Sequence, residues 1–229
     1  MSYALTIGFW AALFAGSHLL ISSSAIRPAL IQRIGEQPYR GLYSLVAFAT
    51  FIPLLIVFSH HKHAGPLLWY WRANPMMRSM VRVLMLAALI FFVGSFVNPN
   101  PGAIGAPGAR PIAGILKITR HPNFVAITIF ALAHLLMNGW LGDLFFFGSI
   151  AALAIIGGVF QDHRKLSELG APYQALVETT SFFPGWALMT GRQQWSFADT
   201  PWIAIIGGVA LMIILAMLHP RFFGGMPLS

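Results

Sequence analysis

The chain has 229 residues, 57% of them hydrophobic and only 9% charged, with a mean hydropathy of +0.73 and a net charge of +8. About a quarter of the residues of an ordinary soluble domain are charged, so this composition excludes a soluble globule and points to a single integral membrane domain over 1–229. The basic residues lie in short clusters between apolar runs, the pattern of membrane-flanking cations, which excludes nucleic acid as a partner; the absence of cysteine excludes disulfides, iron–sulfur clusters, thiolate-ligated haem and a cysteine nucleophile.

A helix needs roughly 20 mostly apolar residues to cross the hydrocarbon core. The first such run is Tyr3–Ser22. It ends in Ser22-Ser23-Ser24-Ala25, which resembles a cleavage site, but the first basic residue is Arg27. The charged start of a signal peptide is missing, and the run reads as a retained transmembrane helix. Residues 25–40 read as a short amphipathic surface helix. The second span is expected at 41–59 and the third at 80–97. Between them, His60-His61-Lys62-His63 reads as a solvated loop at the outer surface, with a metal-binding tract as the other reading. Residues 98–111 are rich in Pro and Gly and should be irregular; they lack the Gly-Lys-Ser/Thr ending of a phosphate loop.

The fourth span is expected at Pro122–Met137 and the fifth at 141–160. Only Asn138-Gly139-Trp140 joins them, so they form a tight antiparallel hairpin with Asp143 at its tip. Residues 161–178 alternate charged and apolar side chains and read as an interfacial helix continuing from the fifth span. Phe182-Phe183-Pro184-Gly185-Trp186 suits headgroup depth, where aromatic rings are favoured. The sixth span is expected at 201–218. The fold class is therefore all-α: a polytopic membrane helix bundle of about six transmembrane helices, with an interfacial helix after the fifth. Nine basic residues fall on one side (Arg27, Arg33, Arg40, Arg110, Lys117, Arg120, Arg164, Lys165, Arg192) and five on the other (Lys62, Arg72, Arg78, Arg82, Arg221). The positive-inside rule makes the first face cytoplasmic and places both termini outside.

Three histidines stand inside or at the mouth of apolar runs: His18, His121 and His134. Ionisable groups at membrane depth are expensive and tend to have a use. Imidazole is the commonest protein ligand of haem iron, and two can fill both axial positions; the plainer reading is that each histidine hydrogen-bonds a neighbouring helix or a headgroup. Two axial nitrogens lie only about 4 Å apart, from a metal–nitrogen distance of roughly 2 Å each. His18 is near the cytoplasmic end of its helix and His134 near the opposite end of its own. At 1.5 Å per residue their depths differ by roughly 10–15 Å. His121 is nearer His18 in depth, so geometry alone favours a His18/His121 pair. Asp162, Arg164 and Glu168 are spaced to share a helix face or to pair with Arg120. Guanidinium binds carboxylates bidentately, which makes Arg120 and Arg164 candidates to hold a haem propionate or a substrate carboxylate; the plainer reading is an interfacial salt bridge. His163 reads as interfacial, and the ten methionines read as apolar filler.

The stretch Lys117-Ile118-Thr119-Arg120-His121-Pro122, then Ala131-Leu132-Ala133-His134, then Asn138-Gly139, resembles the NnrU family. So do Gly16-Ser17-His18, Arg27 and Tyr39-Arg40-Gly41-Leu42-Tyr43-Ser44. The resemblance covers roughly 5–190 and leaves 201–218 as an extra C-terminal span. The family takes its name from a bacterial protein linked to nitrite and nitric oxide reduction, and it also contains zeta-carotene isomerase, a membrane enzyme that uses haem b. The resemblance implies a haem b-binding membrane protein in which His18 and His134 are the iron ligands, with His121 as the alternate. Phe130 and Ala131 stand where the isomerase carries a cysteine, so any ligand exchange with that thiol is absent here.

Two roles are expected from this resemblance. One is a haem-dependent isomerase acting on an apolar polyene; the other is a sensor or assembly factor in denitrification. Both place the chain in a lipid bilayer, the bacterial inner membrane, with a homo-oligomer or a respiratory protein as open partners. The C-terminal half is also similar to S-adenosylmethionine-dependent membrane methyltransferases of the isoprenylcysteine carboxyl and phospholipid type, through Leu166, Gly170-Ala171-Pro172-Tyr173 and Pro184. Arg164-Lys165 replaces the paired glutamates usual before that leucine, which favours the haem reading.

Overall fold

Lipid offers the backbone no hydrogen-bond partner, so an apolar run that enters it must close its own ladder as a helix. A computed structural model describes residues 2–100 and 112–222; most of the expected irregular linker, with Arg110, lies outside them. The helices are α1 (Ser2–Ser22), α2 (Ile26–Ile34), α3 (Glu36–His60), α4 (Pro75–Val97), α5 (Ile115–Ile118), α6 (Pro122–Met137), α7 (Leu141–Leu169), α8 (Ala171–Thr179), α9 (Trp186–Met189) and α10 (Trp202–Phe222). A 3-10 turn, Phe197–Asp199, precedes the last. The protein is an all-α membrane helix bundle. Among the described residues five helices are long and apolar enough to cross a membrane: α1, α3, α4, α7 and α10. The sixth expected span, α6, is a shorter apolar helix of 16 residues. Its rise of about 24 Å falls short of a hydrocarbon core of about 30 Å.

Several boundaries differ from the sequence reading. The surface helix expected over 25–40 is cut at Gly35, whose φ of 86° only glycine adopts freely, and α3 starts at once at Glu36. The fifth span does not give way to an interfacial helix at 161. Instead α7 continues unbroken to Leu169, and the break comes at Gly170, φ 62°, before the separate α8. Its charged last turns alternate along the helix without a residue that would stop it, so the helix period carries through.

The chain divides into two compact units, one of residues 1–81 and 131–163, the other of 82–130 and 164–229. In the first, α1 and α3 run antiparallel, with Tyr3 stacked on His61, Phe14 tilted against Phe51 and His18 beside Tyr43. The start of α7 lies against both helices. Phe58 stacks on Phe146 at 3.8 Å, and Gly8 is open to the Phe145 ring, which would crowd a Cβ there at 2.9 Å. Ile7, Ala11, Leu54, Phe58, Ala131, Phe146, Phe147 and Ala151 form its core. The segment after α3 folds back over the tip of the α6–α7 hairpin. Leu68 N donates to Gly139 O (2.7 Å), Leu141 N to Pro66 O (3.0 Å) and Gly142 N to Ala64 O (2.9 Å).

In the second unit α10 packs on α4 through Gly207 and Gly208, which meet Val93 and Ile90. Small residues of this kind let membrane helices approach closely. Ile115 of α5 fills the space above Gly94. The extended residues after α5 run along the segment 181–185: Arg120 N donates to Ser181 O, Thr119 Oγ1 to Phe182 O and Gly185 N to Ile118 O.

Candidate functional site

His18 sits in the last turns of α1, half-buried, between the rings of Phe14 (4.4 Å) and Tyr43 (5.1 Å). Its Nδ1 lies 3.0 Å from the carbonyl of Phe14. A carbonyl only accepts, so Nδ1 carries the hydrogen and Nε2 keeps a bare lone pair. That tautomer is the one suited to binding a metal or taking a proton through Nε2.

His134 sits near the end of α6, its ring stacked on Phe147 at 4.8 Å. Phe147 in turn meets Phe58 and Phe146 in the core. Both histidines therefore border one aromatic cluster, His18 through Phe14 and His134 through Phe147. They do so at different levels. Gly8 lies against Phe145, and α7 starts parallel to α1, so Phe147 is level with residue 10. From there to His18 is about 12 Å along the axis at 1.5 Å per residue. The depth difference expected from spacing thus persists at the level of the backbone.

The other expected site residues belong to the second unit. His121 is buried, with its ring against Phe124 and Phe182 and its backbone N donating to Thr119 Oγ1. Arg120 is also buried and lies over the Phe182 ring; its carbonyl accepts from Asn100. Arg164 pairs with Glu168 one turn along at 3.9 Å, while its Nε is buried without a hydrogen-bond partner. Lys165 takes the other oxygen of Glu168 at 2.8 Å. Arg164 and Glu168, spaced to share a helix face, thus form an ion pair within α7. Beyond the expected residues, Lys117 donates to Asp199 at 2.9 Å and to the carbonyl of Gln194. The Lys117 ammonium, followed by the Ser196 amide, holds the Asp199 carboxyl below its ordinary value of 3.8.

The family described as NnrU protein matches residues 6–227 of this chain. The chain belongs to the NnrU family. Two curated relatives carry the name 15-cis-zeta-carotene isomerase, chloroplastic. The Zea mays protein is 27% identical over 188 residues, which is 75% of this chain and 49% of the relative. The Arabidopsis thaliana protein is 27% identical over 207 residues, 83% of this chain and 53% of the relative. The chain therefore spans about half the length of these relatives. No solved structure gives a significant match.

One constellation in this NnrU-family chain escaped the sequence reading. His63, read there as part of a solvated loop, has its Nδ1 2.8 Å from Asp143 Oδ2. Asp143 is fully buried, and its second oxygen, Oδ1, is buried without a partner. The imidazole lies against Trp140 at 4.4 Å, and Arg72 approaches the same indole at 5.7 Å. His63 is also the one non-glycine with positive φ (61°) among the described residues, a strain of about 1 kcal/mol or more. The signal was available: Asp143 is the lone acid between 122 and 160, and a carboxylate in so apolar a stretch requires a partner. Its identity was not legible, because His63 lies 80 positions away.

Proposed function

We propose that this protein is a membrane isomerase acting on an apolar polyene of the 15-cis-zeta-carotene class, with haem b as its cofactor. The observation that carries the reading is the similarity to two 15-cis-zeta-carotene isomerases along 75% and 83% of the chain. The helices add to it. Leu45, Phe48, Ile52, Leu55 and Ile56 line an exposed apolar face of α3, so a polyene dissolved in lipid reaches the protein without crossing water. Bound haem b would supply an iron that donates charge to a double bond and lowers the barrier to rotation about it. The chain's own part is to exclude water and to offer imidazoles from a dry aromatic core, as His134 does on Phe147.

The test is expression in a host that accumulates 15-cis-zeta-carotene, with pigments separated by chromatography and haem measured on the purified protein. Conversion of the 15-cis bond together with a Soret band supports the reading. No conversion, under conditions where a plant relative converts the same pigment, overturns it. The denitrification role rests on resemblance alone, and it predicts an unchanged pigment profile in that host.

A further inference from the structure

The short helix α6 is about 24 Å long against a hydrocarbon core of about 30 Å, so an end of it lying in lipid stops below the headgroups. The last carbonyls of a helix have no partner within it, and lipid supplies none. His134 stands in that last turn, one turn before Asn138. How the open carbonyls are satisfied therefore governs how firmly its imidazole is placed.

The donors come from the segment after α3. Trp69 Nε1 donates to the carbonyl of Leu135 at 2.8 Å. Arg72 donates twice, from Nε to the carbonyl of Met137 at 2.9 Å and from Nη2 to Asn138 Oδ1. Held by that bond, Asn138 Nδ2 donates to the carbonyl of His134 itself at 2.8 Å. A guanidinium at this position also opposes the negative end of the helix dipole. The segment is fastened in turn to the hairpin tip, by Leu68 N to Gly139 O, by Gly142 N to Ala64 O and by the His63–Asp143 pair. On its other side the His134 ring rests on Phe147. Thus the backbone of the turn is gripped by the strap and its imidazole by α7. A cap stabilises any helix end. Here it grips the turn whose imidazole borders the aromatic core, and a ligand group works only when held within about 0.5 Å of its place.

We propose that Trp69 and Arg72 are positioning residues for His134, fixing the imidazole for the iron by closing the carboxyl end of α6. The assignment rests on the haem reading above, and its test separates the two. The full chain is purified in detergent, loaded with haem b, and followed by electron paramagnetic resonance and by the rate of haem loss to a haem-scavenging protein. Trp69→Phe keeps a ring and removes the N–H. It should shift the g values of the low-spin signal and speed haem loss about 3–10-fold, the net worth of one hydrogen bond. Arg72→Lys should do the same, because a single ammonium cannot span the Met137 carbonyl and the Asn138 amide as the guanidinium fork does. Trp71→Phe, the same change at an exposed indole of the same segment, should leave both readouts at the wild-type values. A merely structural cap would lower the thermal midpoint and leave the g values of the folded, loaded protein unmoved. If the wild type takes up no haem, the cofactor reading and this assignment fall together. If it takes up haem and Trp69→Phe leaves the g values unmoved, or Trp71→Phe shifts them equally, only the assignment falls. A silent Arg72→Lys overturns the role given to Arg72.

Discussion

Gly139 shows how one residue can govern the hairpin tip. A Cβ there would collide with the backbone carbonyl of Trp69, an atom that no rotamer change can move away. Gly139→Ala is expected to destabilise the protein by about 2 kcal/mol or more, read as a lower thermal midpoint in detergent. Gly16, which has open space where a methyl group would sit, is the control. Gly16→Ala should leave the midpoint unchanged or raise it, since alanine is the better helix former by roughly 0.5–1 kcal/mol. The Lys117–Asp199 tie gives a pH dependence with a definite sign. The folded carboxyl titrates below its ordinary 3.8, so its contribution is fully present above that value and fades as pH falls through the depressed pKa. The midpoint difference between wild type and Asp199→Asn should be constant near neutrality and vanish at acid pH. A difference that grows on acidification would contradict this.

At the scale of elements, close approach and aromatic packing set which helices meet. Gly208 would place a Cβ 2.9 Å from the backbone N and Cα of Ile90, whereas the nearest atom to one on Gly207 belongs to the Val93 side chain. Side chains yield and backbone does not. Gly208→Ala should therefore cost more than Gly207→Ala, and equal thermal midpoints for the two would refute the contact. In the first unit the Phe58–Phe146 stack bridges α3 and α7. Phe146→Ala leaves a ring-sized cavity and should cost about 3–5 kcal/mol, checked by unfolding of the purified variant. The helix segments themselves were mostly legible in the sequence, because twenty apolar residues in lipid have no alternative to a helix. Their ends were less so. Apolar length does not reveal that α7 outlasts the hydrocarbon core and stops only at Gly170.

For the whole molecule, topology depends on α6. Among the described residues five helices are long enough to cross, and α6 is short. If α6 crosses, the crossings are even in number and both termini lie on one side, opposite the face with more basic residues. Reporters fused at each terminus and read for compartment test this. The expected outcome is two signals from one compartment, and termini on opposite sides would remove α6 from the spans.

Composition and apolar run length alone determined that this is an all-α membrane protein, and local motifs determined its family, because both are written in contiguous residues. They also singled out His18, His121 and His134 as costly groups in an apolar setting. Which groups each histidine meets was decided only by tertiary structure. The antiparallel α1–α3 pair carries His18 toward one end of the aromatic core, while the loop after α3 folds over the hairpin and brings His63 to Asp143. Depth along a bundle depends on how helices are shifted past one another, and that shift is set by packing between residues far apart in the chain, such as Gly8 with Phe145 and Phe58 with Phe146.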